Sequence, residues 1–267
     1  MLKKFIQTLL WRYNYDLSKI YPEETDFQET IKKMYPIKLL NTEIIRIGNK
    51  DGDGGYLVPD LIDNIKYSFS LGVGKEISFE EDLIKRNIKC FSADYSVENP
   101  NLDSNKFEFT KKYIKTYNSY NSIRFDDWKN ESIGNDTESE ILLQIDIEGD
   151  EYSVIPSIQT SSIKQTKILI VEFHHLTRIL NKDYQKYIIS CFERILEYFY
   201  PVHLHVNNSS YILKQDNLEI PHLLEATFIN KKFVNKYEFV DRFPNKLDRP
   251  CIAERKEIVV PKTWYKS

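Results

Sequence analysis

The run Ile141-Leu142-Leu143-Gln144-Ile145 is apolar at odd and even positions alike, and it ends abruptly in Asp146-Ile147-Glu148-Gly149-Asp150-Glu151. A strand of that pattern buries both faces, as happens at the centre of a parallel sheet covered by helices on either side. Other segments supply its partners. Tyr67 to Leu71, Ile88 to Ala93, Phe107 to Thr110 and Lys167 to Phe173 read as further strands, and Tyr184 to Phe199 has helical periodicity. Val202 to Val206 and Leu223 to Ile229 read as two late strands. Ser78 with Glu81 fits a capping box opening a helix after the first strand. Strands alternating with helices predict a doubly wound, mostly parallel α/β sheet of Rossmann-like type.

A chain of 267 residues, 41% of them hydrophobic, is long enough for one large domain of this kind. Residues 1–45 read as an N-terminal helical extension and residues 46–267 as the domain itself. Leu2, Phe5, Ile6, Leu9 and Leu10 share one helical face, which predicts a helix docked on the domain or on a second copy in a homodimer. A net charge of −3 supplies no field for nucleic acid or an anionic membrane, and no apolar run reaches the length of a membrane span. Cys90, Cys191 and Cys251 are odd in number and widely spaced, which fits a reducing cytoplasm rather than a disulfide framework.

In such sheets ligands bind beyond the carboxyl ends of the strands, near the switch in strand order. Leu71-Gly72-Val73-Gly74 follows the first strand, where glycines let the backbone approach a ligand. Asp94 ends the next strand, placed to accept hydrogen bonds from the ribose of an adenosine-containing ligand. Between Arg46 and Tyr56 lies a Gly- and Asp-rich stretch without the ligand spacing of an EF-hand; it reads as a tight hairpin turn or as a loop closing over a cofactor. Asp146 and Glu148 crowd carboxylates at the end of the central strand, which requires a cation, a proton or a hydroxylated substrate to compensate. Asp150 and Glu151 fit the first turn of the following helix.

All five histidines lie in the C-terminal part of the chain. Glu172-Phe173-His174-His175 ends one strand, and His203 and His205 alternate along the next. These imidazoles fit three roles: ligands of a divalent metal together with Asp146 and Glu172, a general base, or hydrogen-bonded structural groups.

At these residues the chain resembles the FkbM-type methyltransferases. The shared elements are Asp53-Gly54-Gly55-Tyr56, Ser70-Leu71-Gly72-Val73-Gly74 with Ser78-Phe79-Glu80, Asp127, Gln144 to Gly149, Glu172 to His175, and His203-Leu204-His205-Val206-Asn207-Asn208. The resemblance runs from about Arg46 to Asn230. It implies a class I methyltransferase fold, S-adenosylmethionine as methyl donor, and O-methylation of sugars or related small molecules. By carry-over, Gly72 and Gly74 line the methionine end of the donor, Asp94 its ribose, and Asp127 lies near the adenine. Ser70 stands where the family usually has an acid before the glycine loop, so the partner of the methionine amino group is left to Asp53, Gly55, Tyr56 or Asp146.

The donor's methyl is already activated, whereas a hydroxyl acceptor needs a base or a metal. His205, His174 and Asp146 are the candidates, with Glu148 behind them. The polar stretch from Asn207 to Gln215 reads as a substrate lid. The expected activity is O-methylation of a sugar or nucleotide-activated sugar, in keeping with modification of surface polysaccharide. The rivals are a noncatalytic sugar- or nucleotide-binding protein and a nicotinamide-dependent oxidoreductase; the latter wants a third glycine between Val73 and Ser78, and none is present. Thermal shifts with adenosylmethionine and with NAD separate the three.

Overall fold

A computed structural model describes residues 6, 9, 10, 24–100, 102–215 and 217–266. Seven strands form the central sheet: β1 (Ile65–Leu71), β2 (Lys89–Ala93), β3 (Phe107–Thr110), β4 (Glu140–Ile145), β5 (Thr166–Phe173), β6 (Phe199–Val206) and β7 (Leu224–Asn230). Their order across the sheet is β6-β7-β5-β4-β1-β2-β3. β7 runs antiparallel to both β5 and β6, while the β1, β2, β3, β4 and β5 pairings are all parallel. The strand order reverses between β1 and β4, where Leu71 registers with Ile145. Each expected strand lies within a few residues of its place, and the sheet is the doubly wound one that the sequence predicts.

Period-2 alternation divides the core. Phe69, Phe91, Leu143, Leu169 and Phe173 face one layer, with α1 (Glu24–Lys33), α3 (Phe125–Ile133), α4 (Glu151–Ser157) and α6 (Lys182–Tyr198) packed there. Phe69 stacks on Phe91 at 5.0 Å and meets Trp128 edge-on at 5.1 Å, each ring contributing about 1.5–3 kcal/mol by burial. Cys90, Leu142, Ile168 and Ile170 face the other layer, covered by α2 (Ser78–Lys85) and by a hairpin of Ile44–Gly48 and Gly55–Pro59.

Several local expectations are corrected. The stretch before Ile47 is not helical throughout: after α1, Ile37–Leu39 pairs with Tyr237–Phe239, and Ile44–Gly48 is one arm of the hairpin, so a division after residue 45 falls inside a strand. Phe27, Ile31 and Met34 belong to the main core. Of the amphipathic N-terminal face, Ile6, Leu9 and Leu10 are helical, with Ile6 and Leu9 exposed; Leu2 and Phe5 lie outside the described residues. Ser78 does not cap α2; Ile77 is the cap residue, the Ser78 hydroxyl has no partner, and the Ser78 N–H donates to Glu76. The segment expected as a lid folds instead into a hairpin of Ile212–Gln215 and Leu218–Pro221, held by buried Leu218 and Ile220. Among the described residues no helix is long and apolar enough to cross a membrane.

Candidate active site

The cleft opens at the switch point. Gly72 has φ +80°, and a Cβ there would stand 1.8 Å from the Asp146 carbonyl oxygen, so only glycine lets the loop after β1 pass the end of β4. Gly74 is also left-handed, yet a Cβ there would meet nothing within 4 Å; it borders open space. Two arms extend from these glycines. The larger, about 520 Å³, is lined by Gly72, Gly74, Asp94, Ser96, Tyr113, Lys115, Asp146, Glu148 and Asp150. The smaller, about 190 Å³, runs under the hairpin between Asp53, Tyr56, Gly72, Glu76, Glu80, Gln144 and Asp146. The Gly- and Asp-rich stretch is thus both a hairpin turn and one wall of the cleft.

Asp94 ties the larger arm together. Its Oδ2 accepts the Val73 and Gly74 N–H groups at 3.2 and 3.1 Å, and its Oδ1 accepts from the Ser96 N–H and hydroxyl at 2.7 Å. Partial burial opposes the charge, but these hydrogen bonds hold the carboxyl below its usual range. In the smaller arm Ser70 donates to Glu80 Oε1 at 2.5 Å, and Gln144 donates to the Tyr56 hydroxyl at 3.3 Å. Glu80 Oε2 and Gln144 Oε1 are buried without a partner. Two acceptors without donors require a guest that donates, or a proton; burial pushes the Glu80 carboxyl up to about 7. Ser70 thus holds a buried carboxyl of α2, that of Glu80, at the wall of the smaller arm.

At the other lip stands His174. Its Nδ1 is 2.7 Å from Glu151 Oε1, and Glu151 is fully buried while its Oε1 also accepts the Ile147 and Gly149 N–H groups at 3.3 and 3.2 Å. A carboxylate so held accepts a hydrogen bond from Nδ1–H, which fixes the tautomer whose Nε2 carries the lone pair, on the side of Asp146 and Glu148. Nε2 lies 3.6 Å from Asp146 Oδ1 and 3.5 Å from Glu148 Oε2, two side chains that line the larger arm while His174 itself is buried behind them. Burial alone would lower the imidazole, but Glu151, Asp146 and Glu148 carry it above its ordinary value. Asp146 is pushed up to about 7 by burial, and Glu172 is raised well above the carboxylate range by burial and by the nearby Asp146. Glu148 adopts φ +58° and Gly149 φ +108°, a left-handed turn that presents Glu148 to the cleft.

The structure separates residues that the sequence groups together. Asp146, Glu148 and His174 converge; His205 does not join them. It lies on the same sheet face further along, with Nδ1 3.1 Å from Glu225 and Nε2 2.8 Å from Glu257. The expected metal set of Asp146, Glu172, His174 and His205 therefore divides, and Glu172 instead accepts from Asn207. His203 sits 3.0 Å from Asp248, and Asn208 holds the backbone of Ile252 and Arg255, so this motif clamps the C-terminal segment to the sheet. Gly55 is needed where a Cβ would strike Asn49 O at 2.1 Å; it lines a small cavity with His203 and His205, separated from the smaller arm by Tyr56, which borders both. Asp127 accepts from Asn118 at 2.8 Å and lines neither arm. Lys115 and Ser96 escaped sequence reading; Glu80 entered it only within the shared Ser78-Phe79-Glu80 element, and Glu151 only as an acid of a helix first turn, five residues after Asp146.

A glycine-turned loop after β1, an acid after β2 and a cleft at the β1/β4 switch define the class I methyltransferase architecture. Residues 50–205 match the family profile of the methyltransferase FkbM domain, more than half the chain, and the chain belongs to that family of adenosylmethionine-dependent methyltransferases. No curated protein matches the chain. Among solved structures, a Methanococcus jannaschii fibrillarin pre-rRNA processing protein aligns at 10% identity over 73% of this chain and 84% of its own, with TM-score 0.38. A Pyrococcus horikoshii protein assigned as an RNA methyltransferase aligns at 9% over 62% and 75%, with TM-score 0.31. Likeness at that level carries no weight for the chemistry.

Proposed function

We propose that the protein transfers a methyl group from S-adenosylmethionine to a hydroxyl of a sugar or nucleotide-activated sugar, with His174 as general base. The observation carrying this reading is the Glu151–His174 pair, whose Nε2 lies 3.6 Å from Asp146 and 3.5 Å from Glu148, both on the wall of the glycine-loop cleft. The donor fits the residues present: Asp94 takes its ribose, Gly72 and Gly74, which border both arms, line its methionine end, and the orphaned oxygens of Glu80 and Gln144 take its ammonium. Bound there, the sulfonium supplies an electrophilic methyl. His174 removes the acceptor's proton through Nε2, and Glu151 stabilises the resulting imidazolium. Asp146 and Glu148 accept hydrogen bonds from neighbouring hydroxyls, which favours a polyhydroxylated sugar ring, and not a phosphate, at this lip of the cleft.

A role in surface polysaccharide modification from a cytoplasmic location follows the same reading; the three cysteines are free. The test is incubation with methyl-labelled adenosylmethionine and a panel of nucleotide-activated sugars. Label on a sugar oxygen supports the proposal. Label on carbon or nitrogen, or binding of NAD in place of adenosylmethionine, overturns it.

A further inference from the structure

Across Tyr56 from the smaller arm, His205, Glu225 and Cys251 bring an imidazole nitrogen, a carboxylate oxygen and a thiol sulfur within 4.8 Å of one another. β6 and β7 pair His205 directly with Glu225, so both side chains stand on one sheet face, and Cys251 reaches them from the C-terminal segment that Asn208 clamps. Sγ is 3.1 Å from Glu225 Oε1 and His205 Nδ1 is 3.1 Å from Glu225 Oε2. We propose that His205, Glu225 and Cys251 form a binding site for a transition-metal dication of the zinc type, distinct from the methyl-transfer cleft.

Three further observations point the same way. Glu257 lies 2.8 Å from His205 Nε2, the outer carboxylate that fixes a metal-binding imidazole with its other nitrogen toward the ion. A cavity of about 10 Å³ borders His205 and Glu225, room for a single water as the fourth ligand and for no organic guest. Arg46 also lines it, but its guanidinium donates to the Asn49 and Gly52 carbonyls. The neighbourhood is also rich in acid: buried Glu225 and part-buried Glu257 lie against His205, and part-buried Asp248 lies against His203. An N, O and S donor set selects zinc, or cobalt in its place, over magnesium or calcium. On binding, the Cys251 thiol and His205 Nδ1 each release a proton to solvent, and His205 Nε2–H continues to donate to Glu257.

The site does not depend on the methyl-transfer reading. The full chain, stripped with chelator, is titrated with Co(II) alone and followed by absorbance. The expected result is one equivalent bound with a thiolate-to-cobalt band in the near ultraviolet, displaced by Zn(II). Cys251→Ser should lose that band and bind at least about tenfold more weakly. Glu225→Gln, checked for folding by circular dichroism, should weaken binding comparably. No uptake by the folded wild type overturns the site. So does uptake without the thiolate band that His174→Ala abolishes, which would place the ion at Asp146, Glu148 and His174.

Discussion

The carboxyl end of the sheet carries two acid–histidine groups of opposite design. At β1 and β4 the acids face space: Asp146 and Glu148 border an arm of about 520 Å³, with His174 Nε2 3.6 and 3.5 Å behind them. At β6 and β7 they face each other: His205 lies between Glu225 and Glu257, and His203 against Asp248, around a cavity of about 10 Å³. The chemistry is alike; the covering differs. The hairpin and the C-terminal segment close the β6–β7 side, whereas the glycine loop keeps the β1–β4 side open. Both regions are strand ends bearing histidine, and only the packing decides which of them meets a substrate.

The sharpest way to break this contrast is at Gly72. Gly72→Ala drives a Cβ into the Asp146 carbonyl and should cost on the order of 4 kcal/mol or more, read as loss of the denaturant midpoint and of S-adenosylhomocysteine binding. A stable, binding variant would show that the loop does not define the cleft. Asp94→Ala comes next. Removing charge-assisted hydrogen bonds worth about 1.5–3 kcal/mol should weaken S-adenosylhomocysteine by roughly 10- to 100-fold in calorimetry; unchanged affinity would free Asp94 from the cofactor.

Glu80→Gln should weaken S-adenosylhomocysteine several-fold and leave 5′-methylthioadenosine, which lacks the amino acid, unaffected. The same variant carries a pH signature. Burial raises the folded-state carboxyl from 4.5 to about 7, so its proton stabilises the fold fully below pH 4.5, and that contribution is lost as pH rises through 7. Glu80→Gln should therefore show a flatter melting temperature between pH 5 and pH 8 than the wild type. Smallest is Gly74→Ala, with open space before it and a left-handed φ of +57°: a stability loss of about 1–2 kcal/mol with no steric block. A loss as large as at Gly72 would erase the distinction between wall and mouth.

The sheet was legible because apolar runs such as Leu142 to Ile145 and Ile168 to Val171 can only be central strands, and glycine with aspartate after successive strands marks a nucleoside cleft. What stayed hidden was long-range. Glu151 reads as an ordinary helix first-turn acid until β5 brings His174 to 2.7 Å from it. Glu80 looks like a surface residue of α2 until Ser70 is seen to donate to it. Cys251 offers no ligand spacing, because its partners lie 46 and 26 residues earlier, on β6 and β7. His203 and His205 share a face as alternation requires, but no local pattern reveals that the C-terminal segment covers it.

The most direct measurement is methyl transfer by His174→Ala beside its S-adenosylhomocysteine affinity, together with the pH–rate profile of the wild type and of Glu151→Gln. A base at His174 requires turnover to fall by roughly 10²- to 10⁴-fold with the dissociation constant unchanged. The wild-type rate should climb with pH through a limb above the ordinary imidazole value of about 6.5, because Glu151, Asp146 and Glu148 hold the proton on. That limb should move down in Glu151→Gln. Turnover by His174→Ala within a few-fold of wild type, or a limb that ignores Glu151→Gln, would contradict the assignment of this dyad to the acceptor.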